Sequence, residues 1–283
     1  MADTENKTKK GDKDDKEVDD RTLRQKIMSE VKFFAGLAVF LLVFWTTIFG
    51  HYKIPSESMQ PTLEVGDHLY VSKFAYGYSR HSLPLGLHKL PFLPERGKIF
   101  SRLPKRGDVV VFRNPITKIV MIKRAVGLPG DKVAVKAGRL YVNGEMVERE
   151  IIDQLKYREH KKNKKSKKVP DINDVTVYEE QFEGEKKPHI IYEEYDNPGY
   201  GVANSYDETT VPPDTIFFMG DNRDNSRDSR FLAHESLKSD SGPGFVPLDH
   251  LIGRADLIMF SFKRCKKEPG LYCPKRRYLS PIR

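Results

Sequence analysis

Ile54-Pro-Ser-Glu-Ser-Met-Gln-Pro-Thr-Leu63 stands four residues beyond the one long apolar run of the chain, Phe33-Phe-Ala-Gly-Leu-Ala-Val-Phe-Leu-Leu-Val-Phe-Trp-Thr-Thr-Ile-Phe49. The two stretches decide how everything downstream is read. The apolar run holds seventeen residues without a charge. As a helix it covers roughly 25 Å, slightly less than the ~30 Å hydrocarbon core of a bilayer. Lys32 can snorkel at one end and Trp45 suits the interfacial belt at the other. A buried core helix would show an amphipathic stripe, and none is visible. A cleaved signal peptide would need a shorter N-terminal region and a small-x-small site before Tyr52-Lys-Ile-Pro, and neither is present. An uncleaved signal anchor over residues 33–50 fits both stretches. Arg21, Arg24, Lys26 and Lys32 against a lone Glu30 then put the N-terminus in the cytoplasm and residues 51–283 outside.

The bulk composition narrows the classes. A length of 283 residues allows one or two domains with a sizeable core. Residues 1–32 carry nine basic and nine acidic side chains, so the net charge of +9 lies entirely beyond them. Residues 1–20 are almost wholly charged or small and polar and are expected to be disordered. Six lysines in eight residues, Lys161-Lys-Asn-Lys-Lys-Ser-Lys-Lys168, would suit lipid headgroups or a solvated loop. They lack interleaved aromatics to stack bases, so no nucleic-acid partner is expected. Two cysteines, Cys265 and Cys273, are too few for a disulfide scaffold or a structural zinc site. No metal or cofactor is expected. An extracytoplasmic location permits a Cys265–Cys273 disulfide, and two unpaired thiols remain the alternative.

The exported part reads as strands. Residues 65–72 alternate after a turn, and short β-type runs follow at Val109–Phe112, Ile119–Val126, Val133–Lys136, Thr215–Met219 and Leu251–Phe260. Asn143-Gly144 within Arg139–Val147 suits a type I′ hairpin. Gly-Asp pairs at 66–67, 107–108, 130–131 and 220–221 punctuate the runs. Residues 83–94 hold six large apolar side chains among three prolines, too many prolines for a helix or central strand. They suit a packed loop or one that dips into the bilayer. The composition shifts between 137 and 212. The organisation expected is a mostly β fold behind a single transmembrane helix. An antiparallel β catalytic domain takes 51–136 and 213–283, and residues 137–212 form an inserted smaller β domain or an extended loop.

Two serines in a proline-stiffened loop suit a nucleophile, but a serine hydroxyl needs an adjacent base. The eight histidines stand in no hydrolase signature, and neither Gly-x-Ser-x-Gly nor His-Glu-x-x-His occurs. A lysine can replace histidine when burial keeps it neutral. Lys123 follows four apolar residues in Ile119-Val-Met-Ile-Lys-Arg-Ala-Val126, and on a strand it points opposite to Ile122 and Arg124. One of Lys123 and Arg124 must therefore face inward. Gly220-Asp-Asn-Arg-Asp-Asn-Ser-Arg-Asp-Ser-Arg230 is either a solvated loop or a rigid network of acids and arginines.

Three motifs resemble the signature boxes of bacterial type I signal peptidases: Pro-Ser-x-Ser-Met-x-Pro-Thr-Leu at 55–63, Lys-Arg-x-x-Gly-x-Pro-Gly-Asp at 123–131 and Gly-Asp-Asn-x-x-x-Ser-x-Asp-Ser-Arg at 220–230. Arg106-Gly-Asp-Val-Val-Val-Phe112 is similar to another. They keep the family's order behind a membrane anchor and cover about residues 33–135 and 213–262. The resemblance implies a membrane-anchored Ser-Lys endopeptidase of the bacterial plasma membrane. Its catalytic domain would be periplasmic, and it would remove signal peptides from exported preproteins after small-x-small motifs. It implies Ser58 as nucleophile and Lys123 as general base, with the Ser56 hydroxyl and Ser58 N–H as oxyanion hole. Ser226 would orient the Lys123 amine, and Arg124, Asp228 and Arg230 would form the supporting ion-pair network. Ile54, Pro55, Met59, Leu63 and Ile122 would wall the small substrate pockets. A neutral amine can take the Ser58 proton and return it to the leaving amine, so no third acid is needed.

Met121 departs from the tyrosine often found at that place, and a single span is visible where some relatives have two. Two rival readings are a Ser-Lys peptidase that cleaves itself or a regulator, and a non-catalytic tethered module with a basic binding surface. The anchor and the lack of a DNA-binding half weigh against the first.

Overall fold

The computed structural model describes residues 22–82, 97–158, 172–185, 187–194, 204–231, 242–262 and 268–282. The expectations for the tail at 1–20, the proline-rich stretch at 83–94 and the lysine run at 161–168 fall outside these residues.

Residues 1–44 and 45–283 are two separate units. Helix α1 (Leu23–Ile48) begins well before the apolar run, and its start is written in Thr22-Leu-Arg-Gln25. The Gln25 N–H donates to Thr22 Oγ1 at 3.4 Å, and the Thr22 N–H donates to Gln25 Oε1 at 2.9 Å. This reciprocal pair satisfies two amides that a helix terminus otherwise leaves open. None of the side chains of α1 is buried. Among the described residues it is the one helix long and apolar enough to cross a membrane.

Residues 45–283 are built on antiparallel strands. The main sheet contains β1 (Phe49–Lys53), β2 (Asp67–Ser72), β3 (Val109–Arg113) and β4 (Val120–Gly127). The second sheet takes β5 (Lys132–Lys136), β6 (Arg139–Val142), β7 (Glu145–Met146) and β11 (Tyr206–Thr210). The third is made of β8 (Glu148–Arg158), β9 (Ile172–Gln181) and β10 (His189–Glu193). The main sheet is completed by β12 (Thr215–Met219), β13 (Val246–Pro247), β14 (Leu251–Ser261) and β15 (Tyr278–Pro281), in the order β1-β2-β14-β3-β4-β12-β13 with β15 beside β14. Strand β11 returns to pair with β5, so the second sheet joins residues on both sides of position 137.

The core explains why Val109-Val-Val-Phe112 is apolar at every position. Val109 and Val111 pack with Ile54, Leu63, Leu69 and Val71 on one face, while Val110 and Phe112 pack with Ala125 and Phe218 on the other. A strand covered on both faces reads as a continuous apolar run instead of an alternating one. The hairpin turn falls at Asn143 and Gly144, with φ of 56° and 85°, the positive values a type I′ turn requires. Cys273 is disulfide-bonded, and the chain has one other cysteine, Cys265, which lies outside the described residues.

Candidate active site

The 54–63 stretch is a loop clamped to the start of β2. The Ile54 N–H donates to the Asp67 carbonyl and the Gly66 N–H to the Ile54 carbonyl, each at 2.9 Å. The Gln60 N–H reaches the Glu57 carbonyl at 3.0 Å and the Leu63 N–H the Met59 carbonyl at 2.7 Å, so the loop coils on itself just after Ser58. That coil turns Ile54, Met59 and Leu63 down into the core, each at most 2% exposed. They form the packed layer beneath the loop, and Ile122 packs against the same cluster. Pro55 and Ile122 do line the cleft.

β4 brings Lys123 beneath this loop. The Lys123 Nζ donates to Ser58 Oγ at 2.5 Å and to the Ile122 carbonyl at 3.0 Å. Ser58 is 9% exposed and Lys123 3%. Burial penalises the ammonium and lowers the Lys123 pKa from 10.5 to about 8, although Asp228 and Asp221 pull it back upward. Ser56 is exposed at the loop surface, with its Oγ 3.4 Å from Ser58 Oγ. Strand alternation asks only that one of Lys123 and Arg124 face inward, yet both are buried, because both sides of β4 are covered here.

The 220–230 loop is a network, not a solvated turn. Arg124 donates through Nε to Asp221 Oδ1 at 2.8 Å and through Nη2 to Asp221 Oδ2 at 2.6 Å, and it also reaches Gly107 O and Thr62 Oγ1. Arg230 makes the second fork, Nε to Asp228 Oδ1 and Nη2 to Asp228 Oδ2, both at 2.9 Å. Burial pushes both carboxyls up, but the facing guanidinium outweighs it in each case and holds them below the ordinary value.

Asp221, the partner of Arg124, joins Asp228 and Arg230 in this network. One point differs from the expected arrangement. The Ser226 hydroxyl lines the cleft but donates to Asp228 Oδ2 at 2.7 Å and makes no hydrogen bond to Lys123. A buried carboxylate is a stronger acceptor than an amine that is itself donating to Ser58. Sequence reading also passed over Asp221, Thr62, Arg223 and Glu180. Asp221 and Arg223 stand inside the quoted 220–230 motif, but nothing local in the sequence pairs Glu180 with it.

Gly220 sits where no side chain fits. A Cβ there would lie 2.2 Å from Ser226 Oγ and 2.4 Å from the Ser58 carbonyl. Gly220→Ala is therefore expected to displace the loop that carries Ser58. Turnover should fall by about a hundredfold, the cost of a misplacement near 1 Å. Steady-state kinetics beside a circular-dichroism melt would separate this from unfolding. A variant with wild-type kcat would show that the loop tolerates the shift.

The cleft has a volume of about 870 Å³ and is floored by Ser56, Ser58, Lys123 and Ser226, with Ile119–Ile122 along one side. β12 begins to pair with β4 only at Arg124, so among the described residues no strand covers the other edge of Val120–Lys123. Ile119 is 61% and Val120 41% exposed there. A serine hydroxyl, a depressed amine and a strand edge that no described strand covers converge on one groove.

The signal peptidase family described as "Signal peptidase, peptidase S26" matches residues 27–260. Signal peptidase I of Rickettsia typhi is 32% identical over 87% of this chain and 84% of its own length. Signal peptidase I of Pseudomonas aeruginosa is 36% identical over 82% of this chain and 72% of its own. The chain belongs to the S26 signal peptidase family and is a serine-type peptidase.

Proposed function

We propose that this protein removes N-terminal signal peptides from exported preproteins with Ser58 as nucleophile and Lys123 as general base, cutting after small-x-small motifs. The observation that carries the reading is the buried 2.5 Å contact between Lys123 Nζ and Ser58 Oγ. In its neutral form the amine accepts the Ser58 proton as Oγ bonds to the scissile carbonyl carbon. The resulting oxyanion is held by the Ser56 hydroxyl and the Ser58 N–H. Collapse breaks the C–N bond while the Lys123 ammonium protonates the leaving amine, and a water deprotonated by Lys123 then hydrolyses the acyl ester. The open edge at Val120–Lys123 supports binding of the precursor as an added strand, with alternate side chains directed at the cleft. Ile122 and Pro55 line that cleft, and small side chains are the ones it is proposed to admit. Helix α1 supports a single-pass anchor, with the N-terminus in the cytoplasm and the catalytic unit outside the bacterial plasma membrane.

Incubating detergent-solubilised protein with a labelled preprotein that carries an Ala-x-Ala site tests this directly. Sequencing of the product is expected to find its new N-terminus immediately after the second alanine. A cut elsewhere would refute the specificity. No cut, or cutting of the enzyme alone, would favour the non-catalytic or self-cleaving alternatives.

A further inference from the structure

We infer that Glu180, on the inserted third sheet, is a positioning residue for the dyad: its fork to Arg223 fixes the 220–230 loop against Ser58. The inference rests on the Ser58–Lys123 reading above. Glu180 and Arg223 are 1% and 3% exposed and meet through both carboxylate oxygens, with Nη1 to Oε2 at 3.0 Å and Nη2 to Oε1. Glu180 is itself oriented from behind. Its Oε1 lies 3.1 Å from His189 Nε2, while His189 Nδ1 lies 3.1 Å from Glu185 Oε2. Phe182 stacks on that imidazole at 4.9 Å.

Three consecutive loop residues connect this pair to the reaction centre. Asp221 is forked to Arg124, the neighbour of Lys123. The Asn222 N–H donates to the Ser58 carbonyl at 3.3 Å. Arg223 is forked to Glu180, and its own carbonyl accepts Arg230 Nη2 at 2.6 Å, the group that also holds Asp228. The backbone of the loop adds to β10 on the same side: the Tyr192 N–H donates to Asp221 O at 2.8 Å, and the Arg223 N–H to Tyr192 O at 2.9 Å. The loop is thus held from the main sheet at 221 and from the inserted sheet at 223, with the nucleophile's carbonyl between the two grips. Stability alone does not account for such a pair, since buried ion pairs are commonly no better than packed apolar isosteres. What the fork adds is a fixed direction.

The test uses the full-length protein in detergent and an Ala-x-Ala preprotein, with kcat and KM measured across pH. Glu180→Gln is expected to lower kcat about tenfold to hundredfold with KM unchanged. The acid limb should move to lower pH, because Asp228 and Asp221 draw away from Lys123. Glu180→Asp, which keeps the charge at a shorter reach, should fall between. The double variant Glu180→Gln with Arg223→Met leaves no charge stranded, so it folds even where Glu180→Gln does not, and it should stay slow. Wild-type kcat and acid limb in either folded single variant would overturn the proposal. So would a double variant restored to full turnover, since the pair would then be only structural. The Lys123→Ala protein run alongside separates the two claims: if it cuts as fast as wild type, the dyad reading itself has failed.

Discussion

Protein carrying Lys123→Met should bind precursor and leave it uncut, with kcat down by a factor on the order of 10⁴ to 10⁶ and KM little changed. On the function proposed above, the loss falls on turnover because the amine would act on the proton that moves in the transition state, not on the substrate's side chains. The same change should leave the melting temperature at or above that of wild type at neutral pH. Lys123 titrates near 8 in the fold against 10.5 for an ordinary lysine. Between those values the unfolded chain binds more protons than the native one, so stability rises with pH through that window. Below it the full penalty of about 3 kcal/mol stands, at 1.36 kcal/mol per pKa unit. Methionine removes that penalty while filling the space. For wild type, kcat/KM should fall in acid with a midpoint near 8. A profile flat from about pH 5 to 9 would assign the proton to another group.

Arg124→Met should do the opposite, destabilising the fold as well as the reaction. It strands the Asp221 carboxylate, 1% exposed, and empties the bonds to Gly107 O and Thr62 Oγ1. Breaking one side of a buried pair costs about 3–5 kcal/mol, or roughly 6–20 °C in melting temperature for a domain of this size. Without Arg124, burial is opposed only by the lesser pulls of His189 and the Thr62 hydroxyl, and the Asp221 pKa is expected to rise above the unfolded value. The variant's deficit should therefore be smallest in acid, where the carboxyl is neutral, and grow as pH rises through that pKa. Melts between about pH 4 and 8 read this directly. A deficit independent of pH would mean that the stranded charge is not its cause.

Much of the fold was legible because local chemistry spelled it out. Val109-Val-Val-Phe112, Thr215–Met219 and Leu251–Phe260 form strands close to the expected bounds, and Asn143-Gly144 makes its turn. The start of α1 was equally readable in Thr22-x-x-Gln25, well ahead of the uncharged run. Ser58 and Lys123 were legible from their motifs and do meet. That Ile54, Met59 and Leu63 turn down into the core was not legible, because a motif gives order along the chain, not which way a coiled loop turns each side chain. The Asp221–Arg124 and Glu180–Arg223 pairings were beyond reach for a different reason. Partners 97 and 43 residues apart are chosen by tertiary geometry, and several acids near each arginine were equally plausible on paper.

The margin of β4 that no described strand covers has a cost that the substrate alone does not explain. A row of amides and carbonyls flanked by exposed Ile119 and Val120 will accept any extended backbone, including that of a sister molecule. Purified enzyme stored at high concentration should therefore associate edge to edge and inhibit itself, and a saturating peptide in the groove should keep it monomeric.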